Sequence, residues 1–77
     1  MRTGIVIAYN RKVKIGVTKD SNEQRIRFYS EGVTNTFQLL DVVQFDIAFI
    51  ARSLRAVNVV HVLDRQGKPV RMTVGVD

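Results

Sequence analysis

Apolar and polar residues alternate with period two along most of this chain, and the alternation breaks at short polar clusters. TGIVIAYN, Thr3 to Asn10, reads as a first strand closed by a short Asn10-Arg11 turn. Lys12 to Lys19 reads as a second strand, with Val13, Ile15 and Val17 on one face and Lys12, Lys14, Gly16 and Thr18 on the other. DSNEQ, Asp20 to Gln24, is a loop, because Asp, Ser and Asn bond to nearby backbone and compete with strand pairing. Arg25 to Tyr29 resumes the alternation, with Ile26 and Phe28 on one side and Arg25, Arg27 and Tyr29 on the other. With both apolar sides turned to a core, the outward side of this hairpin would display Lys12, Lys14, Arg25, Arg27 and Tyr29.

The pattern loosens from Ser30 to Phe37, where a crossing loop with room for one helical turn is expected. The stretch from Gln38 to Ser53 reads two ways. Leu39, Val42, Val43, Phe45 and Phe49 can be gathered on a helical stripe, whereas Val43, Phe45, Ile47 and Phe49 alternate as in a strand. The β-branched and aromatic residues favour a fourth strand from about Val43 to Ala51. AVNVVHVL, Ala56 to Leu63, is a fifth strand whose near-continuous apolar run fits coverage on both sides. DRQGKP, Asp64 to Pro69, is a turn, and Val70 to Val76 alternates again and should pair back on the fifth strand.

Short strands with almost no helix must close or sandwich to protect their edges. The expected fold is therefore all-β: a small five-stranded OB-type barrel over residues 3–63, with an additional C-terminal β-hairpin strand in 64–77, in a single domain. An SH3-like or Sm-like barrel competes, and strand count alone does not separate them.

A chain of 77 residues holds one small core. It has no cysteine and one histidine, which excludes disulfides, Cys-containing zinc sites and most nucleophile schemes. The 12 Lys and Arg against 7 Asp and Glu leave a net charge of +5, which favours a polyanionic partner. The charge is concentrated, since six basic residues between Arg11 and Arg27 meet only Asp20 and Glu23. The longest uncharged stretches are interrupted by Asp41 and Asp46, so no membrane span is expected, and the chain reads as cytoplasmic. His61 in VVHVL reads as a buried, hydrogen-bonded side chain. Asp41 and Asp46 make no evident acid/base pair, and the five glycines form no phosphate loop. Neither catalysis nor a cofactor or metal is expected.

The order of short phrases resembles the cold-shock domain family. That family opens on T-G-x-V-K-W-F-N, and this chain has TGIVIAYN at Thr3 to Asn10. The slots of K-G-F-G-F-I and of D-V-F-V-H-x-S-x-I hold KVKIGV at Lys12 to Val17 and RIRFYSEGV at Arg25 to Val33, around the loop DSNEQ. LDVVQFDI at Leu40 to Ile47 and AVNV at Ala56 to Val59 follow in the family's order. Most of the family's base-stacking aromatics are replaced. With one residue deleted in the first turn, its Trp falls on Ala8 and the adjacent aromatic on Tyr9. The second-strand Phe pair falls on Lys14 and Gly16, and the outward Phe and His of the third strand on Arg27 and Tyr29. Placing the deletion in DSNEQ instead sets Ile15 and Val17 in the Phe slots. The first alignment is preferred, because the second turns Lys12 and Lys14 inward and exposes Val13, Ile15 and Val17.

The resemblance implies binding of single-stranded RNA or DNA, with the face rebuilt around charge and with weak base preference. The residues expected to carry it are Lys12, Lys14, Arg25, Arg27 and Tyr29, with Tyr9, of which packing is the ordinary role. Arg52 and Arg55, where the family's loop before its last strand carries a basic residue, complete the set. The alternative is a protein-interaction or self-assembly barrel, with the last strand as the edge of a homodimer or as a dock for another protein.

Overall fold

The computed structural model describes residues 1–30 and 37–72. Five strands follow the alternation: β1 (Arg2–Asn10), β2 (Ile15–Asp20), β3 (Arg25–Tyr29), β4 (Val42–Ile50) and β5 (Ser53–His61). They close into a barrel in the order β1, β2, β3, β5, β4, antiparallel throughout except between β3 and β5. The protein is all-β, in an arrangement consistent with an OB-type barrel, and no helix lies among the described residues. The strand reading of the segment after Gln38 holds; the helical stripe is not formed.

The core holds Val6 from β1, Ile26 and Phe28 from β3, Val43 and Phe45 from β4 and Ala56 from β5, with Phe37 entering ahead of β4. Each fully buried side chain of this size contributes roughly 1.5–3 kcal/mol, so these few residues account for much of the stability. Phe28 and Phe37 meet edge to face at 5.3 Å, and Tyr9 stacks on Phe28 at 6.1 Å.

The expected orientation of β2 is overturned. Gly16, Thr18 and Asp20 face the interior, while Ile15 and Val17 lie on the outward side and Val13 is exposed in the turn. The cause is interior volume. Gly16 is the register partner of Phe28, and a Cβ there would collide with the Phe28 ring. An interior already filled by aromatic rings accepts glycine and a small hydroxyl opposite them, and a one-residue change of parity then turns every β2 side chain over. Thr18 keeps its buried hydroxyl satisfied by donating to the Ile26 carbonyl at 3.2 Å.

The first turn is longer than expected, running from Arg11 to Lys14. The Asn10 side chain accepts the amides of Lys12 (2.9 Å) and Val13 (3.4 Å), and Lys14 takes a positive φ of 56° before β2 starts. At the other end of β2, Asp20 Oδ1 accepts the Asn22 and Gln24 amides at 2.9 and 2.8 Å, which is the local bonding expected of DSNEQ.

β5 is not the doubly covered strand that its apolar run implies. Its pairing with β4 shifts between Gln44 and Asp46, Asn58 in the facing stretch has φ 54°, and Val60 is exposed. Beyond Leu63 the chain turns on the Asp64 carboxylate and returns as two isolated bridges, Leu63 with Pro69 and Arg71 with Asp41. The Val70 amide donates to Val62 and its carbonyl accepts from Val42, so the returning segment reaches both β5 and the start of β4. The remainder of the expected last strand, from Thr73 on, lies outside the described residues, as does most of the expected Ser30 to Phe37 crossing loop.

Candidate nucleic-acid interface

In β3, alternation aims Ile26 and Phe28 inward and leaves Arg25, Arg27 and Tyr29 on the outside. The register with β2 sets Lys19 beside Arg25, Val17 beside Arg27 and Ile15 beside Tyr29. On the other flank the parallel pairing sets Arg55 beside Arg27. One row across the sheet therefore reads Ala8, Val17, Arg27, Arg55, Ala48. Adjacent strands lie about 4.8 Å apart, so two cationic residues stand side by side and repel, a cost that a bound anion relieves.

The Arg55 guanidinium lies 4.3 Å from the centroid of the Tyr29 ring, a cation–π stack that holds both groups in place. Lys19 reaches Glu23 at 3.8 Å, but among the described residues no carboxylate comes within 4.0 Å of Arg25, Arg27 or Arg55. β3 ends at Tyr29 while β5 runs on to His61, and between them opens a groove of about 740 Å³. Tyr29, Phe37, Arg55, Val57, Val59 and Val60 are among its lining residues. A smaller trough of about 230 Å³ lies against Arg25, Arg27, Ser53, Leu54 and Arg55.

The structure brings together four of the expected residues: Arg25, Arg27, Tyr29 and Arg55. Lys12 and Lys14 lie on the exposed first turn and not on the outward sheet face where alternation had placed them. Arg52 sits at the tip of the β4–β5 hairpin. Tyr9 serves packing, stacked on Phe28, with its hydroxyl 2.6 Å from Ser30 Oγ. Ser30 in turn donates its amide to the Lys14 carbonyl at 2.9 Å, which ties the first turn to the end of β3. Ile15 and Val17, on the outward face, occupy the positions of the alternative alignment, so the face is mixed: aliphatic over β2, cationic over β3 and β5.

A second polar cluster escapes sequence reasoning. Asp41, 2 % exposed, lies 3.0 Å from His61 Nε2 and accepts from Arg71 Nε at 3.1 Å and the Gln38 amide at 2.9 Å. Burial opposes the charge on Asp41, but the Gln38 amide, the Arg71 guanidinium and His61 outweigh it and hold its pKa below the ordinary carboxylate range. His61 is also stacked on Phe37 at 4.6 Å. The histidine is hydrogen-bonded as its neighbours implied but only partly buried, with 11 % of its side chain exposed, and its carboxylate partner stands 20 residues away, with no local signal to mark it. The cluster is closed by its own members, and no buried side-chain nitrogen or oxygen among the described residues lacks a partner. It ties the returning C-terminal segment to the barrel.

No family model, no curated protein and no solved structure matches this chain, and its function is argued from the arrangement of these side chains.

Proposed function

We propose that this protein is a nucleic-acid-binding module that holds single-stranded RNA or DNA on the outward face of β3 and β5, with weak base specificity. One observation carries the proposal: Arg25, Arg27 and Arg55 converge without a carboxylate partner among the described residues, beside a Tyr ring on which Arg55 is stacked. Cations in this setting attract phosphates, and flat π-faces beside them take unpaired bases. The resemblance to cold-shock domains belongs to the same proposal, with Ile15, Val17, Arg27 and Tyr29 standing where that family keeps its outward rings. Binding is passive; among the described residues of this face none is set up as a nucleophile or a general base.

The test is fluorescence anisotropy with labelled oligo-uridine, oligo-thymidine and a matched duplex over a salt series. Three phosphate contacts predict a slope of log affinity against log salt of about −2 for single strands. Selective single-strand binding with such a slope supports the proposal, and absence of binding at low salt overturns it.

A second reading, a protein-interaction or self-assembly barrel, is favoured by the tip of the β4–β5 hairpin. Phe49 is 71 % exposed there, and its cross-strand partner Leu54 is exposed as well. Sedimentation analysis of the wild type beside Phe49→Ser tests it: a concentration-dependent dimer lost in the variant would support this reading.

A further inference from the structure

We infer that the outer edge of β4 near its hairpin tip is the contact for a second copy of this chain, the two strands pairing antiparallel about Ala48. This rests on the self-assembly reading above and leaves strand binding to stand or fall separately. Two observations meet at that edge. The first is that β1 accompanies β4 from Val42 only to Phe45, so from Ile47 to Ile50 β4 has β5 on one side and no strand on the other among the described residues. An open edge is ordinarily protected by lysine, proline or a bulge, and Ile47, Ala48, Phe49 and Ile50 supply none of these. The second is that the core face of the β4–β5 hairpin runs out beyond the core. Val43 and Phe45 are buried on it, and Ile47 packs against the core opposite buried Ala56. The next pair along the same face is Phe49 with Leu54, and both are exposed.

A second copy answers both features, because its own edge offers the missing hydrogen bonds and its own Phe49 the missing apolar cover. A two-fold axis through Ala48 sets Ile47 of each copy against Phe49 of the other, on the face that each hairpin leaves bare. The charges agree with this register. The Asp46 side chain is half exposed at the start of the open edge, and Arg52 is exposed at the tip. Pairing about Ala48 sets Asp46 opposite Ile50 of the other copy, so its diagonal neighbour is that copy's Arg52, within reach of a long side chain and repeated by symmetry. An anionic bilayer or a phosphate backbone at the same place would be repelled by Asp46. The pairing leaves the cationic face uncovered. Ala48 ends the row that runs through Arg27 and Arg55, so the axis joins two such rows end to end. Three strand spacings separate the two Arg55 backbones, about 14 Å, which exceeds the screening length of about 8 Å at physiological salt, and their mutual repulsion is weak.

The decisive experiment follows the full chain by sedimentation equilibrium from micromolar to millimolar concentration, as wild type, Ala48→Lys and Ala48→Thr. The wild type is expected to pass from monomer to dimer, with the weak affinity of so short an edge. Ala48→Lys places like charges across the axis and should weaken the dimer about a hundredfold, whereas Ala48→Thr, uncharged and suited to a strand, should keep it. Circular dichroism checks that each variant folds. Because the chain has no cysteine, Ala48→Cys carries its one thiol on the axis, where the two copies lie about 5 Å apart. A short bifunctional thiol reagent should cross-link it to a dimer far faster than Val60→Cys, whose thiol would be exposed on β5 away from the edge. A dimer that is unchanged by Ala48→Lys and is not cross-linked through Ala48→Cys would overturn the edge contact and leave the self-assembly reading standing. A chain that stays monomeric at every concentration would overturn both, and would leave the open edge to an extended peptide of another protein.

Discussion

Two groups of charged residues meet opposite fates in this barrel. Asp41 is buried, with an amide, a guanidinium and an imidazole around it. Arg25, Arg27 and Arg55 stand on the outside, two of them side by side, with no carboxylate within 4.0 Å among the described residues, and Arg55 alone rests on the ring of Tyr29. The first arrangement lowers the energy of the folded chain without help. The second raises it slightly and is relieved only when an anion arrives. The difference separates charge that holds the fold from charge available for a ligand.

The largest expected effect breaks the inward group. Asp41→Ala removes the acceptor of three donors and should destabilise the protein by about 3 kcal/mol, measured by urea unfolding near pH 7. Strand affinity of the remaining folded protein should be unchanged. Reversal of the outward group is next. Arg27→Glu combined with Arg55→Glu should weaken single-strand binding about a hundredfold at moderate salt and flatten the salt slope. Its unfolding midpoint should fall far less than in Asp41→Ala, because the only stabilising contact removed is the exposed stack of Arg55 on Tyr29, which contributes about 0.5–1 kcal/mol. If stability fell as much as in Asp41→Ala, the two groups would not differ as the geometry says.

Acid sharpens the comparison without mutation. The pKa of Asp41 is lowered in the folded state, and so is that of Asp20. There the Gln24 amide, against the opposing cost of burial and with the Asn22 amide and Arg2, favours the charged form. Lowered folded-state values mean that the unfolded chain binds more protons in acid, so these two carboxylates contribute stability above about pH 4 that is lost as pH falls further. Unfolding midpoints between pH 6 and pH 2 should drop below that point in the wild type and drop less steeply in Asp41→Ala.

The smallest effect concerns the β4–β5 turn. Ala51 and Arg52 both adopt positive φ, 51° and 66°, the two-residue hairpin geometry that favours Asn-Gly. Ala51→Asn with Arg52→Gly should stabilise the protein by about 1 kcal/mol. Its effect on strand affinity should be far smaller than that of the Arg27 and Arg55 reversal, since Arg52 lies away from the row.

Strand existence was legible because it depends on local alternation. β3 occupies the expected residues 25–29, β4 falls within one residue of expectation at each end, and the outward Arg25, Arg27 and Tyr29 follow from the parity of β3 alone. The parity of β2 was not legible. Alternation marked Val13, Ile15 and Val17 as the core face, yet the available volume next to Phe28 suits only Gly16, and volume is a property of the closed barrel. The candidate site divides in the same way. Its charge was visible as a run of basic residues, but the partnership of Arg55 with Tyr29 and Arg27 arises from a parallel contact between β3 and β5, strands that are not neighbours in sequence. The Asp41 cluster likewise gathers His61 and Arg71 from 20 and 30 residues away.

Local chemistry thus set the strands, the Asp-based turns and the excess of positive charge, since each depends on residues within a few positions of one another. Tertiary closure decided which face of β2 looks inward, which carboxylate is buried with partners, and which arginines converge. Those outcomes depend on a finite interior and on pairings between distant strands, and no short-range pattern encodes either.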